Sequence, residues 1–162
     1  MNVRGASEAI TQGDVIDECP LLRWVADHPE SDRSPREIVS RVIVVTQACD
    51  AASPKTSRTV VAAVHIASEL VASGVLKAQA IRDQVRRHRV YGWYFLPAGP
   101  GLEESIVDLR ELHTIGRAML QSLIADGHRV CRLVTPYREH MAQHFSTTYS
   151  RIGLPQPYAT ET

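Results

Sequence analysis

The stretch Arg41-Val-Ile-Val-Val-Thr-Gln-Ala-Cys-Asp50 decides how the rest of the chain is read. Val42 to Val45 are four β-branched aliphatic residues in a row. Strand side chains alternate between faces, so such a run has no polar side to turn to water and reads as a strand buried on both faces. One long strand is therefore expected from Arg36 to Asp50. Its end is polar: Thr46, Gln47, Cys49 and Asp50 emerge where a packed strand meets a loop, a place where a rigid scaffold holds functional groups in position. Thr46, Gln47 and Asp50 are candidate substrate-binding residues on this ground. Cys49 has no histidine near it in sequence and reads as a small packing residue rather than a thiolate nucleophile.

Working outward, Ala51 to Arg58 is a Ser/Pro/Lys loop, and Thr59-Val-Val-Ala-Ala-Val-His-Ile66 is a second β-patterned run that would pair with the first as a hairpin. Before them, Gly13 to Ile16 is a short strand after a start expected to be mobile over 1–12. Pro20, Pro29 and Pro35 mark a surface loop from Pro20 to Arg36. After them, helical spacing runs from Ala67 to Arg89, with Leu76, Ala80, Ile81 and Val85 roughly on one face. Tyr91 to Leu96 returns to strand, Pro97 to Gly101 is a turn cluster, and Ser105 to Ile115 is a further strand with imperfect alternation. Gly116 to Asp126 reads as a helix, Arg129 to Val134 as a final strand, and Thr135-Pro136 as the start of a C-terminal helix over 135–150. Val134, Tyr137, Met141, Phe145 and Tyr149 give that helix an apolar stripe. Short strands interrupted by helices, without regular strand-helix alternation, predict a mainly β, α+β domain: a small, bent barrel with added helices.

Composition narrows the function classes. A chain of 162 residues makes one domain with a real core. Its 18 basic and 18 acidic side chains cancel, so contact with nucleic acid must come from local patches rather than a global field. Cys19, Cys49 and Cys131 are widely spaced and odd in number, which argues against a disulfide framework or a zinc knuckle. With no leader-like start and no apolar run long enough to span a bilayer, a cytoplasmic location without membrane contact is expected.

The order of four segments is more specific. Gly13-Asp14-Val15, then Arg41-Val-Ile-Val-Val, then Thr59-Val-Val-Ala-Ala-Val, then Ser105-Ile-Val-Asp-Leu-Arg-Glu-Leu-His-Thr-Ile115 resembles the MazF/PemK family of toxin endoribonucleases over about Gly13 to Leu120. The resemblance implies a single SH3-like barrel domain across 1–162 and a homodimer. It also implies metal-independent, cofactor-free RNA cleavage through the 2′-hydroxyl, and a toxin or defence role with an antitoxin or other protein partner. Arg41 matches the arginine that precedes an aliphatic strand in that family. The chain departs from the pattern in its longer acidic, proline-marked segment before Arg41 and in Val42 where the family has proline. It also has a helical insertion after His65, His65 where Ser or Thr is usual, and His113-Thr114 in place of an Arg-Thr pair.

The residues support chemistry of this type in their own right. Cleavage through a 2′-hydroxyl needs a base for that hydroxyl, an acid for the leaving oxygen and a cation beside the phosphorane. Arg41 suits the cation, since guanidinium grips phosphate oxygens bidentately, and His65 and His113 are candidate proton carriers. An edge arginine and a buried structural histidine are the bland readings of Arg41 and His65. Arg86, Arg87 and Arg89 beside Tyr91, Trp93 and Tyr94 form the best local patch for RNA phosphates and bases, with the rings expected in the core. His140 and His144 stand one helical turn apart and read as part of a solvated helix face, with no metal assigned. Two functions follow: an endoribonuclease acting through Arg41 and histidine, or a catalytically silent barrel binding a nucleotide, nucleic acid or protein partner at the Thr46 to Asp50 strand end.

Overall fold

The structure, a computed structural model, describes residues 9–24, 35–53, 55 and 57–150. Six strands, β1 (Asp14–Arg23), β2 (Arg36–Val44), β3 (Arg58–Ile66), β4 (Trp93–Leu96), β5 (Ser105–Gly116) and β6 (Arg129–Arg132), form one sheet in the order β4-β5-β3-β2-β1-β6. Every pairing in it is antiparallel. Among the described residues five helices decorate the sheet: α1 (Ala48–Ala52), α2 (Ala67–Ala72), α3 (Ala78–Asp83), α4 (Arg117–Ala125) and α5 (Tyr137–Tyr149). The architecture is α+β.

The aliphatic run behaves as its alternation requires. Ile43 and Val45 enter a core cluster with Val15, Ala62, Val64, Tyr94, Leu96, Val107, Leu109, Cys131 and Met141 of α5. Val42 and Val44 face the other way, against Ile16, Val61 and Leu120 and Ile124 of α4. The central strand is thus covered on both sides, and each of those buried aliphatic side chains contributes about 1.5–3 kcal/mol of burial. All six strands supply side chains to the α5-side cluster, including β4 and β6 at opposite ends of the ladder, so the sheet curls around that core. The expected barrel is nevertheless not closed: among the described residues no ladder joins β4 to β6.

Several boundaries differ from expectation. Pro20 lies inside β1, opposite Val39, rather than in a loop. β6 pairs only with Asp14, Val15 and Ile16, so Pro20 sits on a free edge where its missing N–H breaks no ladder. Pro29 lies outside the described residues. The central strand stops at Val44, and the polar segment beyond it winds into α1. The single helix expected over Ala67 to Arg89 is broken into α2, α3 and a 3₁₀ turn over Val85–Arg87; the first break falls at Gly74, whose φ of +74 is the left-handed geometry that ends a helix, and the second at Gln84, whose backbone leaves the helical region. On α5 the buried residues are Met141 and His144. Phe145 packs against the core from its margin, and Tyr137 and Tyr149 are about half exposed. From the stretch expected to be mobile, residues 1–8 lie outside the description, while Ile10 is buried and the Gln12 side-chain amide donates to the Val45 carbonyl at 2.9 Å.

Candidate active site on the sheet face opposite α5

The geometry of the site comes from an irregularity in β5. Between Ala62 and Ala63, β3 advances one residue while its partner positions on β5 jump from Leu112 to Asp108. Leu109, Arg110 and Glu111 are therefore extra, and a bulge of this kind re-aims side chains. Leu109 stays in the core, and its carbonyl accepts a 2.6 Å hydrogen bond from the Tyr149 hydroxyl of α5. Arg110 folds back on Asp108, with its backbone N–H at 2.9 Å from Oδ1 and its Nη2 at 2.8 Å from Oδ2. Its guanidinium lies 4.2 Å from the centre of the Trp93 ring. Gly92 makes room for this arm: its φ is +82, and a Cβ there would meet Arg110 at 2.8 Å.

Glu111 is left to face two imidazoles. Its Oε2 stands 3.6 Å from His65 Nε2 on β3, and its Oε1 stands 3.4 Å from His113 Nε2 on the same strand as itself. Arg23 at the end of β1 donates its Nε to Oε1 at 2.9 Å. His65, Glu111 and His113 are all part-buried, with side-chain exposures of 28%, 23% and 15%, so they are held in place yet open to solvent. Arg23, Glu111 and His113 line a shallow groove with Leu22 and Trp24, a residue that is 67% exposed. Two imidazoles beside one carboxylate can divide labour, one neutral as base and the other protonated as acid, with the carboxylate orienting His113 and lying against His65. His65, Asp108 and Glu111 are also the one group among the described residues whose potential metal-ligating atoms all lie within 4.8 Å of one another.

The other expected site residues are distributed around this array. Arg41 points to the α5 side of the sheet, on the same strand face as Ile43, and is held bidentately by Asp17 at 2.5 and 2.9 Å and by Glu103 at 3.2 Å. Hydrogen bonding to Asp17 raises its pKa further, and it is committed to two carboxylates. It meets His65 only at the rim, where both line a groove with Asp17, Ser40 and Glu69. Thr46, Gln47 and Asp50 do come together. They line a groove of about 650 Å³ with Gln12, Phe145, Ser146 and Tyr149. Within it Thr46 Oγ1 accepts from the Val60 N–H at 2.7 Å and orders the turn. Cys49 is exposed, with its thiol 3.8 Å from Gln47 Oε1.

Arg86, Arg87 and Arg89 are exposed, with Arg86 5.0 Å from the Phe95 ring centre. Of the rings beside them Trp93 and Tyr94 are buried, as expected, and Tyr91 is about half exposed. Of the expected solvated pair, His140 is exposed and His144 is not. His144 is 8% exposed, and both rings close on His88 and Tyr94, with His88 at 4.3 Å from His140 and 5.8 Å from His144 between ring centres. Burial lowers the pKa of His88 and His144 and pushes the Tyr94 phenol up to about 12. Asp14 of the Gly-Asp-Val motif is fully buried and pairs with Arg132 at 2.5 Å and Arg129 at 3.3 Å, a structural clamp between β1 and β6.

Glu111, Arg23 and Trp24 are functional candidates that sequence reasoning passed over. Glu111 had a readable signal, since Glu111 and His113 stand two apart on a strand and so share a face. Arg23 and Trp24 fell in the segment assigned to a loop. No helix among the described residues is long and apolar enough to cross a membrane.

Comparison with known proteins adds little. No family model matches the chain, and no curated protein does. One solved structure, described as an endoribonuclease from Mycobacterial species, is 16% identical to this chain and aligns over 93% of it and 97% of that chain, with a TM-score of 0.46. Likeness at that level is too low to carry over fold or activity.

Proposed function

We propose that the protein is a metal-independent endoribonuclease of MazF/PemK type, an SH3-like barrel protein, with proton transfer assigned to His65 and His113. The observation that carries this reading is Glu111, a carboxylate with an imidazole on each oxygen. One neutral imidazole takes the proton of the 2′-hydroxyl as its oxygen attacks phosphorus. The other, protonated, gives its proton to the departing 5′-oxygen, leaving a 2′,3′-cyclic phosphate and a free 5′-hydroxyl. Glu111 orients the His113 ring through a hydrogen bond and places its negative charge beside His65, which stabilises the imidazolium. Trp24 offers a face on which a base can stack, and Arg23 a cation beside it. Arg41 joins as phosphate ligand only by exchanging Asp17 and Glu103 for substrate oxygens, which offsets much of what the contact gains. In this reading the enzyme acts in the cytoplasm as a homodimeric toxin or defence effector restrained by a protein partner. Purified protein incubated with single-stranded RNA in excess chelator should yield fragments ending in cyclic phosphate. Fragments with 3′-hydroxyl ends would exclude the mechanism.

A second reading is favoured by a separate observation, the convergence of Thr46, Gln47 and Asp50 on the groove under α5. There the chain is a catalytically silent module that binds a nucleotide, nucleic acid or protein partner at the strand end. Binding that is lost in Gln47→Ala and unaffected by His65→Ala, with no RNA cleavage by the wild type, would establish it.

A further inference from the structure

We propose that His65, Asp108 and Glu111 form a binding site for a zinc-type divalent cation, and that its occupation switches off the reaction assigned to His65. The second half rests on the ribonuclease reading; the first does not. The site is built by the β5 bulge, which brings Asp108 and Glu111 from one strand to the imidazole of His65 on the next. All three ligating atoms lie within 4.8 Å of one another. The contact between His65 Nε2 and Glu111 Oε2 is 3.6 Å, too long for a hydrogen bond. A tetrahedral zinc with ligands at about 2.0–2.1 Å sets neighbouring ligand atoms about 3.4 Å apart, so this separation is close to the edge of such a site.

The surrounding charges decide which ion. Asp108 and Glu111 carry two negative charges, and Arg110 and Arg23 return two positive ones, so the locality is near neutral. A hard ion such as magnesium, which relies on carboxylate charge and keeps its water, gains little here. An ion with affinity for imidazole nitrogen gains from His65 itself. The arginines do not close the site. Asp108 Oδ2 accepts one hydrogen bond and keeps a second lone pair, Glu111 Oε2 faces only His65, Arg23 is 44% exposed and free to swing into solvent, and Arg110 retains the face of Trp93. A fourth position then stays open for water. A bound ion takes the His65 nitrogen lone pair and the free oxygen of Glu111, so His65 can neither accept nor carry a proton.

The test uses the full chain freed of metal, titrated calorimetrically with zinc chloride and, in parallel, with magnesium chloride. One zinc per chain and no magnesium heat are expected, with His65→Ala and Asp108→Asn each weakening zinc by about tenfold or more. In cleavage assays zinc should inhibit the wild type, chelator should restore it, and Asp108→Asn should keep its basal rate while losing zinc sensitivity. Zinc affinity unchanged in both variants would place the ion elsewhere and overturn the site. Zinc that accelerates cleavage would overturn the inhibitory role. Tight zinc binding that both variants weaken, in a protein that cleaves no RNA, would uphold the site and remove the ribonuclease reading instead.

Discussion

Among the described residues histidines gather in two clusters, and their surroundings differ. On the face away from α5, His65 and His113 look at a carboxylate and at solvent. Where α5 meets β4, His88 and His144 pack with Tyr94 and with the exposed His140, and the His88 Nδ1 and His144 Nε2 atoms are buried without a hydrogen-bond partner. Burial first, and then neighbouring imidazoles, keep His88 and His144 from taking up protons, whereas His65 and His113 stand partly open to solvent beside a carboxylate. The same residue type thus stands beside a carboxylate on one side of the sheet and packs against other rings on the other.

The contrast can be broken most decisively at the outer cluster. His65→Ala, His113→Ala and Glu111→Gln should each lower RNA cleavage by about a hundredfold or more, measured as initial rates, while thermal unfolding shifts little. His144→Leu should leave cleavage intact. A smaller loss, about tenfold, is expected for Arg41→Ala, because Arg41 is bound to Asp17 and Glu103 before substrate arrives. A loss as deep as that of the histidine variants would show that Arg41 is the principal phosphate ligand.

The inner cluster makes a pH prediction. His88 and His144 have pKa values lowered from 6.5 in the folded protein, first by burial and then by neighbouring histidines. The unfolded chain therefore takes up protons near pH 6.5 that the folded chain refuses. Stability is complete above that pH and is lost as pH falls below it, until the lowered folded values are reached. Denaturant midpoints should fall between pH 7 and pH 5, and His144→Leu should make that fall shallower. The smallest effect is expected at Arg87, exposed at the end of the 3₁₀ turn: Arg87→Ala should change cleavage by less than about threefold and only at low salt.

The parts of this picture that were legible in sequence are those written in contiguous residues. Val42 to Val45 announced a strand covered on both faces, and Thr59 to Ile66 its hairpin partner, because a run of β-branched residues encodes its own burial. Gly74 was visible as a residue but not as a break, since the helical period continues on either side of it. The bulge that aims Glu111 at His65 left no local mark beyond imperfect alternation, because it is a mismatch between two strands rather than a property of one. The inner cluster was out of reach for the same reason: His88 meets His140 and His144 only once β4 and α5 have packed. His65 and His113 were read from the strands that carry them, and the carboxylate that joins them was supplied by the fold.

The division of labour between His65 and His113 is tested most directly by the pH dependence of kcat/KM for RNA cleavage in chelator, for the wild type and the two single-alanine variants. The account predicts a bell-shaped wild-type profile, with His65→Ala removing one limb and His113→Ala the other. Two variants that keep the full bell, at rates near the wild type, would contradict it.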